Sequence, residues 1–325
     1  PASGGVFFVC HFCHVGSVDT QKDFNRALEI LREQGYLSLD DWPADMPFST
    51  EQLGLERNDD QLRWINPPQA LDLDLMRAAL PDYDLTYFDC VDSTNTQLMA
   101  IGESSSVAGL VYLADFQFGG KGRRGRQWMS PFGRNLAISM GFATRKPLSQ
   151  LGGMSLVVGL AIASVLENLG VQQLALKWPN DVFLQGRKLG GVLIELIHRP
   201  QRTEFVVGFG VNVALTAEEI RTIGQPVSDL RGAGVSASRS ALAVACIQSL
   251  SRYIELFERQ GFAPFVSAFN DIHLYQGKTC TLLQGDQKIA GRVDGVGTEG
   301  ELILQTEQGE QRFHGGEVSL RPPTP

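Results

Sequence analysis

Ten consecutive residues carry the densest potential for chemistry in this sequence: Gly119-Gly120-Lys121-Gly122-Arg123-Arg124-Gly125-Arg126-Gln127-Trp128. They hold four cations and four glycines in a chain whose formal net charge is −8. Glycines let a backbone come close to a ligand, and neighbouring cations repel unless an anion or water separates them. The stretch follows Leu110-Val111-Tyr112-Leu113-Ala114, which reads as a buried strand. A loop of this kind suits folding over something negatively charged. Gly120-Lys121-Gly122-Arg123-Arg124-Gly125 has the spacing of a dinucleotide fingerprint, but no apolar helix follows to supply the N-terminus that grips a pyrophosphate. A P-loop is excluded because Gly122, not Ser or Thr, follows Lys121. Taken alone, the stretch fits a solvated structural loop as well.

A second cluster points the same way. Lys177-Trp178-Pro179-Asn180-Asp181 ends the strand-like Leu174-Ala175-Leu176, and Lys188 follows in Gly186-Arg187-Lys188-Leu189-Gly190-Gly191. Lysines beside glycine and asparagine at strand ends suit phosphate contact, and Asp181 suits either orienting a lysine or holding magnesium through water. Each lysine alone is an ordinary surface cation; with the Gly/Arg loop they describe an anion site. No Ser/His/Asp nucleophile pattern accompanies them. Cys10-His11-Phe12-Cys13-His14 has the form of a haem-attachment motif or half a zinc site, but no second cysteine pair follows at zinc spacing. It reads as an apolar segment with incidental thiols.

The elements that must position these residues fall into three blocks. In residues 1 to 68, Phe24, Ala27, Leu28 and Leu31 recur at helical spacing within Lys22–Gln34, with Gly35 as the stop and Asp19 or Thr20 as the expected cap. Leu53 to Trp64 alternates about Asn58-Asp59-Asp60 as a short hairpin, and Asn66-Pro67-Pro68 breaks the pattern. From 69 to 272 strands and helices mix without a regular strand–helix repeat, predicting an α+β fold with helices on one side of a mixed sheet. Asp92-Ser93-Thr94-Asn95 reads as the cap of a helix from Thr96, and Leu151–Leu166 as a buried helix rather than a membrane span. Residues 273 to 325 turn into short strands with glycine turns, including Lys278–Leu283, Gln287–Asp294, Glu301–Gln305 and Gln311–Val318, and predict a small β-barrel.

At 43% hydrophobic and 20% charged residues the composition is ordinary globular, and the acidic balance argues against a whole-molecule nucleic-acid binder. Five cysteines in 325 residues make no disulfide framework and suggest a reducing compartment. The sequence begins at Pro1 rather than Met, as expected of a trimmed N-terminus, and shows no secretory leader pattern.

Asp92-Ser93-Thr94-Asn95, Gln117, the Gly120–Gly125 loop with Arg126 and Trp128, Ser130-Pro131, Lys177–Asp181, Lys188–Gly191 and Gly208-x-Gly210-x-Asn212 resemble the biotin–protein ligases in order and spacing. Gly315-Gly316-Glu317-Val318-Ser319-Leu320 resembles the close of their C-terminal barrel, so the likeness covers about residues 71 to 325. It implies a class II synthetase-like catalytic domain with a central mixed sheet and a C-terminal SH3-like β-barrel. It also implies a cytoplasmic ligase that joins biotin to ATP as biotinyl-5′-AMP, with Mg2+, and passes biotin to a lysine of the biotin carboxyl carrier domain of acetyl-CoA carboxylase. The bifunctional members dimerise and repress biotin genes through a winged helix-turn-helix, which residues 1–68 match only as a degenerate or truncated version.

By the same resemblance Ser93, Thr94, Asn95 and Gln117 hold the biotin ureido ring, and Lys121, Gly122 and Arg123 cover biotin and adenylate. Lys188, with Gly191 beside it, meets the biotin carboxylate and α-phosphate, and Lys177 meets the ATP phosphates. Trp128 stacks on adenine, with Arg126, Asn180 and Asn212 in the ATP site; Arg123, Lys177 and Lys188 are the catalytic cations and Asp181 the magnesium residue. Lys121 stands where the family loop has arginine, a conservative change only if that position acts through its backbone. The rival readings are a lipoate ligase-type acyltransferase and a DNA-binding repressor without catalysis.

Overall fold

The computed structural model describes residues 18–64, 66–199, 202–284, 287–314 and 318–321. The Cys10–His14 motif and Gly315–Glu317 lie outside the described residues.

Helix α1 (Val18–Gln34) runs through Asp19 and Thr20, so neither caps its start, and Gly35 at φ 81° stops it. The predicted core stripe holds: Phe24, Ala27, Leu28 and Leu31 are each at most 1% exposed. β1 (Tyr36–Ser38), β2 (Leu55–Asn58) and β3 (Gln61–Trp64) form a sheet ordered β1-β3-β2, with β2 and β3 joined through Asp59-Asp60 as a hairpin. This unit buries its aromatic side against the next one, where Phe24 and Phe48 share a core with Cys90, Phe116 and Phe132.

The elements that follow are α2 (Leu73–Ala79), β4 (Asp84–Val91), α3 (Thr94–Ser104), β5 (Leu110–Gln117), β6 (Asn135–Thr144), α4 (Met154–Asn168), β7 (Leu174–Lys177), β8 (Asp181–Leu184), β9 (Arg187–His198) and β10 (Thr203–Asn212). Then come α5 (Ala217–Ile223), α6 (Arg239–Gln260) and α7 (Val266–Asp271). The seven strands form one mixed sheet, order β4-β5-β6-β10-β9-β8-β7, in which only β4 and β5 run parallel.

Side chains alternate across a strand, and here the alternation separates two faces. Phe205, Val207, Phe209 and Val211 of β10 join α4 and α6 in the main core, whereas Val206 packs with Leu98 of α3 and Val107. Helices therefore cover both faces, which corrects the one-sided expectation. The reason is that α3 buries a stripe of its own, so the sheet needs an apolar patch on each side. The uncharged run becomes α4, with eleven of its fifteen residues buried. By length and composition alone Leu148–Asn168 would suffice to cross a membrane, and it serves here as a core helix.

β11 (Thr279–Gln284), β12 (Gln287–Val296), β13 (Leu302–Thr306), β14 (Gly309–Phe313) and β15 (Val318–Arg321) make an antiparallel sheet ordered β14-β13-β12-β11-β15. The single strand expected over Gln311–Val318 is two strands at opposite edges. The buried Trp178 indole donates to the Gly300 carbonyl at 3.1 Å, fastening this sheet to the β7–β8 turn.

Candidate functional site

The pocket lies on the α3 side of the large sheet, and its floor follows from register. Gly208 stands opposite Ser139 and Leu193, and Gly210 opposite Ala137 and Gly191; all six line the same cavity. Glycine is required at positions 208 and 210 because other side chains lie flat on the sheet there. A Cβ on Gly208 would collide with the Asn95 amide, and one on Gly210 would come within 2.6 Å of the Trp128 indole. The Gly-x-Gly spacing thus clears space for two site residues.

One wall is the start of α3. The helix begins at Thr94 rather than Thr96, and the Ser93 side chain makes no capping bond. Instead the Asp92 carboxylate accepts from the Ser93 N–H at 2.6 Å and from Gln97 Nε2 at 2.8 Å, which leaves the Ser93 hydroxyl available to the pocket. Gln117 Oε1 accepts from the Thr94 N–H at 2.8 Å and lies 3.1 Å from the Thr94 hydroxyl. The Ser139 hydroxyl sits 2.7 Å from Thr94 Oγ1 and 2.5 Å from Asn95 Oδ1, and Asn95 Nδ2 donates to Glu195 at 2.8 Å. Ser93, Thr94, Asn95, Gln117 and Ser139 are all buried, so this network fixes polar groups where water cannot substitute for them.

The roof is the basic loop, which closes on itself. Gly122 N–H donates to the Arg126 carbonyl at 2.7 Å, Trp128 N–H to the Gly120 carbonyl at 2.8 Å, and Lys121 bridges Gln127. Arg124 at φ 60° and Gly125 at φ 68° make the tight turn at its tip. The Lys121 side chain is exposed while its backbone pairs, which favours a backbone role at the position that departs from the family arginine.

Cations gather beneath the roof. Arg123 donates to Asn180 Oδ1 at 3.1 Å, and Asn180 Nδ2 is held by the Val192 carbonyl at 2.9 Å. Burial, then repulsion from Arg124, pushes the Arg123 pKa below its ordinary value, so a bound anion would relieve the second strain. Lys188 Nζ pairs with Asp181 at 2.8 Å and lies 5.7 Å from the Trp128 ring centre. Lys177 Nζ lies over the rings of Phe183 and Tyr275, at 5.7 and 5.8 Å from their centres. Lys121, Arg123, Arg124, Arg126, Lys177 and Lys188 line the cavity against one carboxylate, Asp181.

Gly122, Trp128, Asn180 and Gly191 also line this cavity, so it gathers every expected site residue except Asn212. The Asn212 side chain is 2% exposed and donates to the Ser228 carbonyl at 3.1 Å, tying a loop to the end of β10 instead of facing the cavity. Residues that sequence reasoning did not single out are Ala137, Ser139, Leu193 and Gln225 on the lining, and Glu195 behind Asn95. Only strand alternation combined with pairing partners would have revealed them, apart from Gln225, which no signal marked. Among the described residues no group of three or more His, Cys, Asp or Glu is arranged to hold a metal.

Two family models match the chain: the biotin/lipoate A/B protein ligase family over residues 87–212, and the biotin protein ligase C-terminal domain over 275–321. The bifunctional ligase/repressor BirA of Salmonella typhimurium is 37% identical over 257 residues, 78% of this chain and 80% of that protein. The biotin–[acetyl-CoA-carboxylase] ligase of Paracoccus denitrificans is 30% identical over 233 residues, 70% of this chain and 96% of that one. Among solved structures, the biotin protein ligase from Aquifex aeolicus in complex with biotin and ATP superposes with a TM-score of 0.62 at 29% identity, covering 74% of this chain and 99% of its own.

Proposed function

This chain belongs to the biotin protein ligase family, and we propose that it activates biotin with ATP and transfers it to a carrier lysine. In the first step a biotin carboxylate oxygen attacks the α-phosphorus of ATP, the bond to the β-phosphate breaks, and pyrophosphate leaves. In the second the carrier's lysine amine attacks the acyl carbon of biotinyl-5′-AMP, AMP departs, and the amine loses a proton. Neither step needs a nucleophile from the enzyme, in keeping with a pocket that presents cations and fixed hydrogen-bonding groups.

The observation that carries this reading is the lining: six cations and one carboxylate around a single cavity, in a chain of net charge −8. Two anions repel as they approach, so fixed positive charge and positioning supply the acceleration. Lys188, poised between Asp181 and Trp128, is assigned to the biotin carboxylate and the α-phosphate. Arg123 and Lys177 take the phosphates, and Ser93, Thr94, Asn95 and Gln117 the ureido ring. Trp128, with Arg126 and Asn180 nearby, takes adenine, and Asn212 orders the loop beyond.

Magnesium fits as part of MgATP. The site offers only the Asp181 carboxylate, already paired with Lys188, and Mg2+ commonly takes one carboxylate plus phosphate oxygens and water. It would neutralise phosphate charge, with Asp181 holding it through water.

Residues 69–272 then carry the chemistry and 273–325 form the appended domain. The carrier is the biotin carboxyl carrier domain of acetyl-CoA carboxylase, and the low cysteine content accords with a cytoplasmic setting. DNA binding by the N-terminal unit is disfavoured by eleven acidic against five basic residues over 18–64. Gel-shift measurements test that point, and sedimentation with and without biotin and ATP tests the homodimer. The decisive assay is ATP–pyrophosphate exchange, expected to require biotin and ignore lipoate, followed by biotin transfer to a purified carrier domain. Exchange driven by lipoate, or no exchange with operator binding intact, would replace this reading by one of its rivals.

A further inference from the structure

We propose that Glu195, which belongs to none of the motifs, is a positioning residue for biotin recognition: it sets the direction of the hydrogen-bond chain Asn95–Ser139–Thr94–Gln117. The inference rests on the biotin reading of this pocket.

The argument follows the protons. Glu195 stands on β9, opposite Val206 of β10, on the face that α3 covers. An ionised carboxylate only accepts, so the 2.8 Å contact from Asn95 Nδ2 to Glu195 Oε2 decides which end of the Asn95 amide points where. Oδ1 is thereby turned to Ser139 at 2.5 Å and receives its single hydroxyl proton. With that proton committed, the Thr94 hydroxyl gives its own single proton to Ser139 at 2.7 Å rather than to Gln117 Oε1, which lies farther off at 3.1 Å. Gln117 Oε1 is taken by the Thr94 N–H at 2.8 Å, so the Gln117 amide turns its Nε2 side elsewhere. Each buried group then has one role as donor or acceptor.

Without the carboxylate the Asn95 amide could flip, and the chain could run in either sense. A ureido ring offers two N–H donors and a carbonyl acceptor in fixed order, so a pocket of mixed polarity would pair with it less well. Unpaired buried polar groups are the strongest source of rejection in a binding site. The room for this device is made in the floor, since any side chain at position 208 would strike the Asn95 amide.

Three variants test the assignment in the intact chain, by biotin-dependent ATP–pyrophosphate exchange with KM measured for each substrate. Exchange by the wild type tests the biotin reading itself, so its failure is separate from failure of this inference. Glu195→Gln can donate as well as accept, so the Asn95 amide is free to flip; KM for biotin is expected to rise about three- to tenfold with KM for ATP within about twofold, and a wild-type KM for biotin overturns the inference. Asn95→Asp sets two carboxylates against each other and is expected to raise KM for biotin at least about tenfold while leaving KM for ATP within about twofold. Adding Glu195→Gln to Asn95→Asp restores a donor–acceptor pair, and most of the biotin KM is expected to return. The inference is overturned if the double variant is no better than Asn95→Asp, or if both KM values rise together as for a mere tie between α3 and β9. It is overturned equally if Asn95→Asp binds biotin as wild type does.

Discussion

The most demanding test of the pocket geometry is a single methyl group at Gly210. An alanine Cβ there would stand 2.6 Å from Trp128 Cε2 and Nε1 and 2.8 Å from Cζ2. Carbon contacts settle near 3.5–4.0 Å, so the indole must retreat by about 1 Å. It cannot slide along the chain, because the Trp128 N–H is bound to the Gly120 carbonyl at 2.8 Å, and it cannot sink, because the neighbouring strands lie beneath. The ring is pushed up into the space assigned to adenine. Overpacking of this kind costs about 1–3 kcal/mol, which corresponds to roughly 5- to 150-fold in an apparent binding constant. Gly210→Ala is therefore expected to raise KM for ATP by that factor in the exchange assay at saturating biotin. KM for biotin, whose ring is assigned to the Gly208 end of the floor, should stay within about twofold. A folded variant with unchanged KM for ATP would remove Trp128 from the adenine site. A matching rise in both values would show that the floor has simply buckled.

Three further outcomes are expected. Lys188→Ala should slow adenylate formation by roughly 10²–10³-fold, the size of other single electrostatic deletions, with biotin affinity changing less than the rate; pre-steady-state pyrophosphate release reads both. Burial holds the His273 pKa down to about 4 from an ordinary 6.5, so the unfolded chain takes up the proton first and stability falls as pH drops from 6.5 toward 4. This group alone then removes roughly 3 kcal/mol below pH 4, and His273→Phe should flatten that part of the urea-stability profile. Asp115→Ala leaves Arg239 charged and buried after losing a 2.8 Å partner, both groups being 1% exposed, and should cost about 3–5 kcal/mol in urea denaturation.

The residues assigned to the chemistry were legible because each role asks for a particular side chain or glycine in a short stretch. Lys177, Lys188, Arg123 and Trp128 are separated along the chain, yet strand ends bring them to one cavity, where strand ends normally place ligands. Gly208 and Gly210 stood out as a pattern, but their cause did not, because Asn95 and Trp128 reach them from other elements. Asn212 has the same character: a buried asparagine beside a glycine motif reads as a ligand, and only the structure shows its amide committed to Ser228. Ser139 and Glu195 left no trace at all. A serine in an apolar strand and a glutamate between Ile194 and Leu196 gain their meaning from the partner across the sheet, and pairing register is not local information. The face covered by α3 was hidden for the same reason, since a strand buried on both sides shows no alternation.

The N-terminal unit was the least legible region, yet it is attached to both ends of the most legible one. Phe48 packs edge-on against Phe116 at 4.9 Å and lies tilted against Phe118 at 6.0 Å, immediately before Gly119. Trp64 stacks on Phe132 at 5.5 Å, shortly after Trp128, and Arg32 lies 5.8 Å over the same ring. Arg32 also pairs with Asp89 at 2.7 Å, and Arg134 donates to the Asn66 carbonyl in the segment that joins the two units. Aromatic pairs of this kind contribute about 0.5–1.5 kcal/mol each beyond their buried area. The two stems of the basic loop are thus clamped by side chains from another part of the fold, while its tip is held by backbone bonds within the loop. The span between the stems, residues 120–128, receives none of these clamping contacts. The glycines that first marked this stretch divide accordingly. Gly120 is demanded by the Trp128 carbonyl, which a Cβ would strike, and Gly125 by its positive φ at the turn. The four cations therefore sit on a frame whose ends are already fixed, and the N-terminal unit braces the roof without a residue of its own in the cavity lining.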